Sequence, residues 1–289
     1  MSPSSRPTRW WLETLERRRA NMAEVLDPSA NANFASDAER RAAIKFFNAA
    51  FRAEESGLAQ AHMLADTVAS WDPELGDVLR LYGDEEGWHR QLLTEFLGRI
   101  GGDVQPMGRV TRTFYKLYGR AKRMETIVLT NLMFETIGAT TYRLALRNVS
   151  QPAARAMLVI LTRDESFHVP LNVHFLRHVL ARSPSAARRR LRLLYKGLFA
   201  SLVLLPLASR PKARAFDGIS TLELMRAYAR ELAKLFSREP DLGLDPPQSL
   251  LRLLGISRAE LKLGEDLASS SVAAAELAAE RDAVQVTAL

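Results

Sequence analysis

Five histidines occur in the chain: His62, His89, His168, His174 and His178. Two of them follow a glutamate by three positions, in Glu86-Gly87-Trp88-His89 and Glu165-Ser166-Phe167-His168. On a helix this spacing sets a carboxylate and an imidazole on one face, about 4.5 Å apart along the axis. Such a pair suits two ligands closing on one metal ion. The chain holds 20 glutamates in 289 residues, so chance alone would give roughly one histidine in fourteen a glutamate at that offset. Two among five exceeds that rate, yet the motif needs support from elsewhere in the chain.

That support lies in what precedes each motif. Glu135 stands 30 residues before Glu165, and Glu54 stands 32 before Glu86. An out-and-back helical hairpin brings such positions level. The two halves then match: Glu54 to Glu135 spans 81 residues, while Glu86 to Glu165 and His89 to His168 each span 79. The chain carries a degenerate internal repeat of helix pairs. Between residues 96 and 222 only three glutamates occur, Glu125, Glu135 and Glu165, and two of them fall on these positions. Glu135 stands among Val128, Leu132, Ala139 and Leu146 on a segment that is apolar almost all round. An unpaired carboxylate there would cost several kcal/mol, so a metal or a cation must compensate it.

The elements that must position these residues are helices. Glycine and proline are sparse before residue 180, and strand-like alternation is nearly absent. The first predicted helix opens at Ser36, with Glu39 completing a capping box, and covers 36–70. The second opens at Asp72 with Pro73 in its first turn and ends at Gly101-Gly102. A crossover follows over 101–120, then a third helix over 121–148 and a fourth from Pro152 to about residue 182. Further helices are expected over 184–208, from Ser220 with Glu223, and from Ser257 with Glu260; 241–247 reads as a loop. The chain divides into an N-terminal extension (1–35), a four-helix bundle (36–182), additional C-terminal helices packed on it (183–268) and a flexible tail (269–289).

Four carboxylates and two imidazoles, with two helices giving Glu and two giving Glu-x-x-His, make a dinuclear site for iron or manganese. Six residues are assigned to it: Glu54, Glu86, His89, Glu135, Glu165 and His168. The competing reading is a bundle with buried Glu–Arg pairs and incidental histidines, and it must explain six coincident positions rather than one. Over about residues 36–182 the sequence resembles the ferritin-like di-iron carboxylate superfamily. Asp-Glu-Glu-Gly-Trp-His at 84–89 and Asp-Glu-Ser-Phe-His at 164–168 look like the paired helix motifs of soluble acyl-carrier-protein desaturases. Phe134-Glu135 with Ala139-Thr140 is similar to their third helix. Arylamine N-oxygenases of the superfamily have an extra histidine one turn before the last glutamate, where this chain has Leu161.

The resemblance implies an all-α, ferritin-like four-helix bundle with a long crossover between its second and third helices. It implies two iron ions per chain, or a manganese–iron pair, bridged by Glu86 and Glu165. Glu54 and Glu135 would be terminal ligands, with His89 and His168 on one ion each. The function it implies is an O₂-dependent oxidoreductase, a monooxygenase, hydroxylase or desaturase acting on a small-molecule or acyl substrate. Electrons would come from a separate reductase, since no flavin or iron–sulfur motif is visible. Two alternatives stay open: iron oxidation, storage or peroxide detoxification of the ferritin or rubrerythrin kind, and hydroxylation of a modified tRNA base. About 100 residues beyond the bundle favour enclosure of a substrate over storage.

Composition bounds the rest. With no cysteine, disulfide scaffolds, Cys-ligated zinc, iron–sulfur clusters and thiol catalysis are excluded together. The balance of 40 Lys+Arg against 33 Asp+Glu gives +7, which permits anionic partners such as an acidic carrier or a membrane surface. Nucleic acid is not the expected partner, and a homodimer is. No secretory signal is visible, and the apolar stretch 197–208 is shorter than the about 20 residues a spanning helix needs, so a cytoplasmic protein is expected.

Other residues admit plainer roles. Glu54 falls on the apolar face with Phe47, Ala50, Ala61 and Ala65, whereas Glu55 falls at its margin near His62 and Asn48. Gly57 and Gly138 each follow a ligand glutamate by three, which leaves room for dioxygen or substrate, or else allows close helix packing. His174 and His178 project away from the Glu165/His168 face and are expected on a solvated surface, as are Arg17–Arg19 and Arg188–Arg190. His62 reads as a boundary residue. The basic start of 185–196 followed by apolar residues would pack on the bundle, lie on a membrane or shape a lipid tunnel.

Overall fold

The structure, a computed structural model, describes residues 6–20, 31–108, 112–113, 121–209, 214–257 and 261. Those residues are all-α, with no strand among them. In chain order the helices are α1 (Thr8–Ala20), α2 (Asp37–Ala69), α3 (Pro73–Arg99), α4 (Met124–Asn148) and α5 (Pro152–Arg182). There follow α6 (Ser185–Leu204), α7 (Pro206–Ser209), α8 (Arg214–Asp217), α9 (Thr221–Arg238), a 3₁₀ turn at Pro240–Leu242, and α10 (Gln248–Leu253).

Local signals explain where the long helices begin. Ser36 accepts a hydrogen bond from the Glu39 amide at 3.2 Å, and the Ala35 amide donates back to Glu39 at 3.1 Å. Asp72 caps α3 through the Leu75 amide at 3.1 Å, with Pro73 at the first helical position, where its missing N–H costs nothing. Gln151 caps α5 through the Ala154 amide, and Ser220 with Glu223 forms a reciprocal capping box on α9. The α4 start is three residues later than the sequence expectation, at Met124 after Arg123 as N-cap.

The helices α2 and α3 form one hairpin and α4 and α5 the other; within each pair the two helices pack along most of their length. The crossover leaves α3 along α2, because Asn48 donates to the Asp103 carbonyl at 3.0 Å and accepts from the Gln105 amide at 2.6 Å. The apolar core divides into two clusters. One gathers Ala61–Val68 of α2, Leu75–Tyr82 of α3, Ile127–Ile137 of α4 and Phe167–Leu180 of α5, together with buried residues of α1, α6 and α9. The other gathers Phe47 and Phe51, Leu93 and Phe96, Tyr142 and Ala145, and Met157 and Leu161 from the same four helices, with Phe216 of α8. Glu54, Glu86, His89 and Glu165 fall between the two clusters along their helices, while Glu135 and His168 lie at the edge of the first.

Several expectations change. The N-terminal extension contains α1, whose Trp11, Leu12 and Leu15 are buried in the core. It covers the face of α5 that was expected to meet solvent. His174 is consequently 2% exposed, 3.1 Å from Thr8 Oγ1 through Nε2 and packed on the His178 ring at 4.2 Å. The helix expected over 184–208 ends at Leu204 and restarts as α7 at Pro206, and α10 lies beyond the expected loop. Ser185–Ala208 is long and apolar enough to cross a membrane by length and composition, a longer stretch than 197–208 alone. Its inner side, however, is committed to the bundle: Leu191, Tyr195, Phe199 and Leu202 are all buried there. The start of the last expected helix at Ser257–Glu260 and the tail after 269 fall largely outside the described residues.

Candidate metal centre

The six residues assigned from sequence meet in one buried layer: Glu54 from α2, Glu86 and His89 from α3, Glu135 from α4, Glu165 and His168 from α5. Both histidines are fully buried, and the four glutamates are at most 8% exposed. Both imidazoles present Nδ1 to the carboxylates. His89 Nδ1 lies 3.2 Å from Glu54 and 3.9 Å from Glu165; His168 Nδ1 lies 3.1 Å from Glu86, 3.7 Å from Glu135 and 3.8 Å from Glu165. The ring centroids stand 5.7 Å apart.

The ligand atoms fall into two groups of four, each able to hold a metal ion: Glu54, Glu86, His89 and Glu165, and Glu86, Glu135, Glu165 and His168. Glu86 and Glu165 belong to both. Glu55 does not take part; it pairs with Arg52 at 2.6 Å at the protein margin. The fit to a cation also shows in unmet bonding capacity. Glu86 Oε1, Glu135 Oε2 and His168 Nδ1 are buried without a hydrogen bond of good geometry, an arrangement that costs free energy unless a cation compensates it. Hard carboxylate oxygens with one imidazole per position suit iron or manganese.

Protonation follows from the same geometry. Burial pushes the Glu86 carboxyl well up, and the neighbouring Glu54 and Glu135 add to it; burial, Glu135 and Glu54 do the same to Glu165. Burial also opposes charge on Glu135, but the neighbouring Glu165, the His168 imidazole and the Tyr82 hydroxyl outweigh it and hold that carboxyl down at about 2. Burial works against an imidazolium at His89, yet Asp164 and Glu54 raise it to about 10. The two carboxyls common to both groups are thus the ones that keep protons while no cation is bound.

A surrounding layer was not foreseen. Asp164 Oδ2 lies 3.0 Å from His89 Nε2, and Glu85 Oε2 lies 3.0 Å from His168 Nε2. Each of these acids braces the histidine of the other motif. Their sequence signal was visible, since each immediately precedes the glutamate of its own Glu-x-x-His. Arg18 of α1 had no such signal. It was expected on a solvated face, but its side chain is 14% exposed and donates to Glu85 at 2.8 and 3.2 Å and to Asp164 at 2.8 Å. Arg163 adds two more bonds to Asp164, at 2.7 and 3.0 Å. Tyr82 donates to Glu135 at 2.6 Å and Tyr142 to Glu54 at 3.2 Å, one buried phenol for each glutamate that belongs to a single group.

On the carboxylate side, away from the imidazoles, lies a cavity of about 30 Å³ lined by residues of α2 to α5, among them Glu54, Gly57, Glu86, Glu135, Gly138 and Tyr142. The two glycines differ. A Cβ at Gly57 would stand 2.8 Å from Glu86 Oε2, whereas one at Gly138 would meet nothing closer than Tyr142 at 3.9 Å. Gly57 makes space for the Glu86 carboxylate, and Gly138 leaves the cavity open. Among the described residues, none that lines the cavity comes from α6 to α10.

Residues 30–172 match the family model described as a ferritin-like domain. No curated protein and no solved structure matches the chain.

Proposed function

The chain belongs to the ferritin-like superfamily, and from that premise we propose that it is an O₂-dependent di-iron oxidoreductase that oxidises an organic substrate. The observation that carries this reading is the sharing of Glu86 and Glu165 between two four-residue groups, beside a cavity on their carboxylate side. Glu54, Glu86, His89 and Glu165 would hold one ion, and Glu86, Glu135, Glu165 and His168 the other. Bound there, two iron ions would supply the electrons that reduce dioxygen. The protein's own part is to hold those ligands in place. Asp164 and Glu85 fix the outer nitrogens of the imidazoles, so that Nδ1 of each faces the ions. Tyr82 and Tyr142 each steady one oxygen of Glu135 and Glu54, and the second oxygen of Glu54 faces His89 Nδ1 at 3.2 Å. Glu86 and Glu165 give up their protons when the ions bind.

One observation favours a second reading. A cavity of about 30 Å³ has room for a water-sized or diatomic guest. Iron oxidation or peroxide removal needs no more than that. Purified protein decides between them. The first reading expects two irons per chain, an oxo-bridge band in the near-ultraviolet, and turnover only with a reductase and an organic substrate. Loading of hundreds of irons per assembly, or rapid peroxide consumption without organic substrate, would favour the second. A metal-free protein that takes up no iron would refute both.

A further inference from the structure

We propose that the outer face of α6 and α7 docks on an anionic lipid bilayer. Charge is distributed unevenly along this chain. Residues 166–216 contain ten Lys and Arg and no Asp or Glu, leaving 30 basic against 33 acidic residues elsewhere, so the net positive charge of the protein is concentrated here. Five of those bases, Arg188, Arg189, Arg190, Arg192 and Lys196, are exposed on α6, and none makes an ion pair among the described residues.

The same helix exposes leucine. Leu193 is 72% exposed and Leu207 60%, with Leu204 at 43% and Leu194 at 40%. On a helical wheel Leu193, Gly197, Ala200 and Leu204 fall along one outer ridge, opposite the buried Leu191, Tyr195, Phe199 and Leu202. Arg189 and Arg190 continue that ridge toward the N-terminus of α6. Large apolar side chains next to unpaired bases are the signature of a helix lying in a membrane interface. The helix lies on the bilayer rather than crossing it, because insertion would pull Tyr195 and Phe199 out of the core. An acidic protein would match the bases but give the leucines no apolar medium, and the same face of a second copy would bring no counter-charge. The inference is independent of the chemistry at the metal site.

The test uses the full chain in flotation with vesicles of phosphatidylcholine, alone or mixed with phosphatidylglycerol, at about 0.1 M salt. Binding is expected only with phosphatidylglycerol. The triple variant Arg188→Gln/Arg189→Gln/Arg190→Gln should lose affinity on the order of a hundredfold. The double variant Leu193→Ser/Leu207→Ser should also bind more weakly, with an unchanged melting temperature because both side chains are already exposed. Leu193→Trp, which removes no apolar surface, should show a blue-shifted emission on adding the anionic vesicles. Absence of binding to those vesicles would overturn the proposal. So would salt-sensitive binding that ignores the leucine changes and leaves the emission of the Leu193→Trp variant unshifted, since that behaviour belongs to a purely ionic site for an acidic macromolecule.

Discussion

The Arg18 guanidinium meets the Asp164 carboxylate at 2.8 Å through Nη2, and with Nε and the same Nη2 it holds Glu85. Because Asp164 braces His89 and Glu85 braces His168, one side chain from α1 supports both imidazoles of the centre. Arg18 lies outside the stretch that matches the ferritin-like family, so the N-terminal helix is an added support for the site. Burial opposes the charged forms of all three groups, yet their mutual attraction holds Glu85 lower and Asp164 well below the ordinary carboxylate range, with the Arg18 guanidinium raised.

Arg18→Met should therefore weaken both metal positions together. Removing one partner leaves two buried carboxylates short of a counter-charge, which costs about 3–5 kcal/mol of stability. Loss of a bracing contact of this kind lowers metal affinity by roughly 10–100-fold. Asp164→Asn should weaken chiefly the His89 position, and Glu85→Gln the His168 position. Titration with Co(II), followed through its visible bands, separates the three: a common loss for Arg18→Met, and one weakened step for each of the others. Two wild-type affinities in Arg18→Met would show that the guanidinium serves packing alone.

The two glycines should behave differently. Gly57→Ala puts a methyl group 2.8 Å from Glu86 Oε2, so Glu86 must move and metal stoichiometry should fall. Gly138→Ala has room for its methyl group and should bind metal normally, with slower dioxygen consumption because the cavity narrows. Metal content and oxygen uptake, measured on both variants, check this. Equal loss of metal in the two would mean that both glycines serve ligand placement.

Protons should leave when metal binds. Glu86 and Glu165 hold protons in the metal-free state, and the His89 imidazole is raised from 6.5 to about 10. A raised imidazole stabilises the fold fully below 6.5, and that contribution is lost as pH rises through about 10. The metal-free protein should thus melt at lower temperature as pH climbs from neutral toward 10, whereas the loaded protein, whose histidines bind cations in place of protons, should not. Adding Mn(II) to weakly buffered metal-free protein should acidify the solution, and a flat pH trace would count against these protonation states.

Glu54→Gln and Glu55→Gln should also part company. Glu54 is 2% exposed within the metal cluster, so its amide variant should fold but lose one metal position and the oxygen chemistry. Glu55 faces Arg52 at the margin, and its amide variant should keep full metal content. His174→Ala should lower stability by about 1–3 kcal/mol through the loss of a buried ring while sparing the metal. Iron per chain and melting temperature for the three variants give the answer.

Much of the site was legible because its logic is local. Glu-x-x-His places two ligands on one helical face whatever surrounds it, and the repeat spacing of 79 to 81 residues is a property of two similar hairpins. Helix starts at Ser36, Asp72 and Ser220 were legible for the same reason, since a cap acts within three residues. Tertiary structure alone decided which distant element covers each face. Arg18, Glu85 and Asp164 come from three helices, and no spacing links residue 18 to residue 164. His174 faces away from the centre as its register requires, and only the docking of α1 turns that outward face into an interior one. A periodic pattern specifies the direction of a side chain about its own helix axis; its environment depends on long-range packing, where many apolar segments compete for the same surface and the one that buries most area wins.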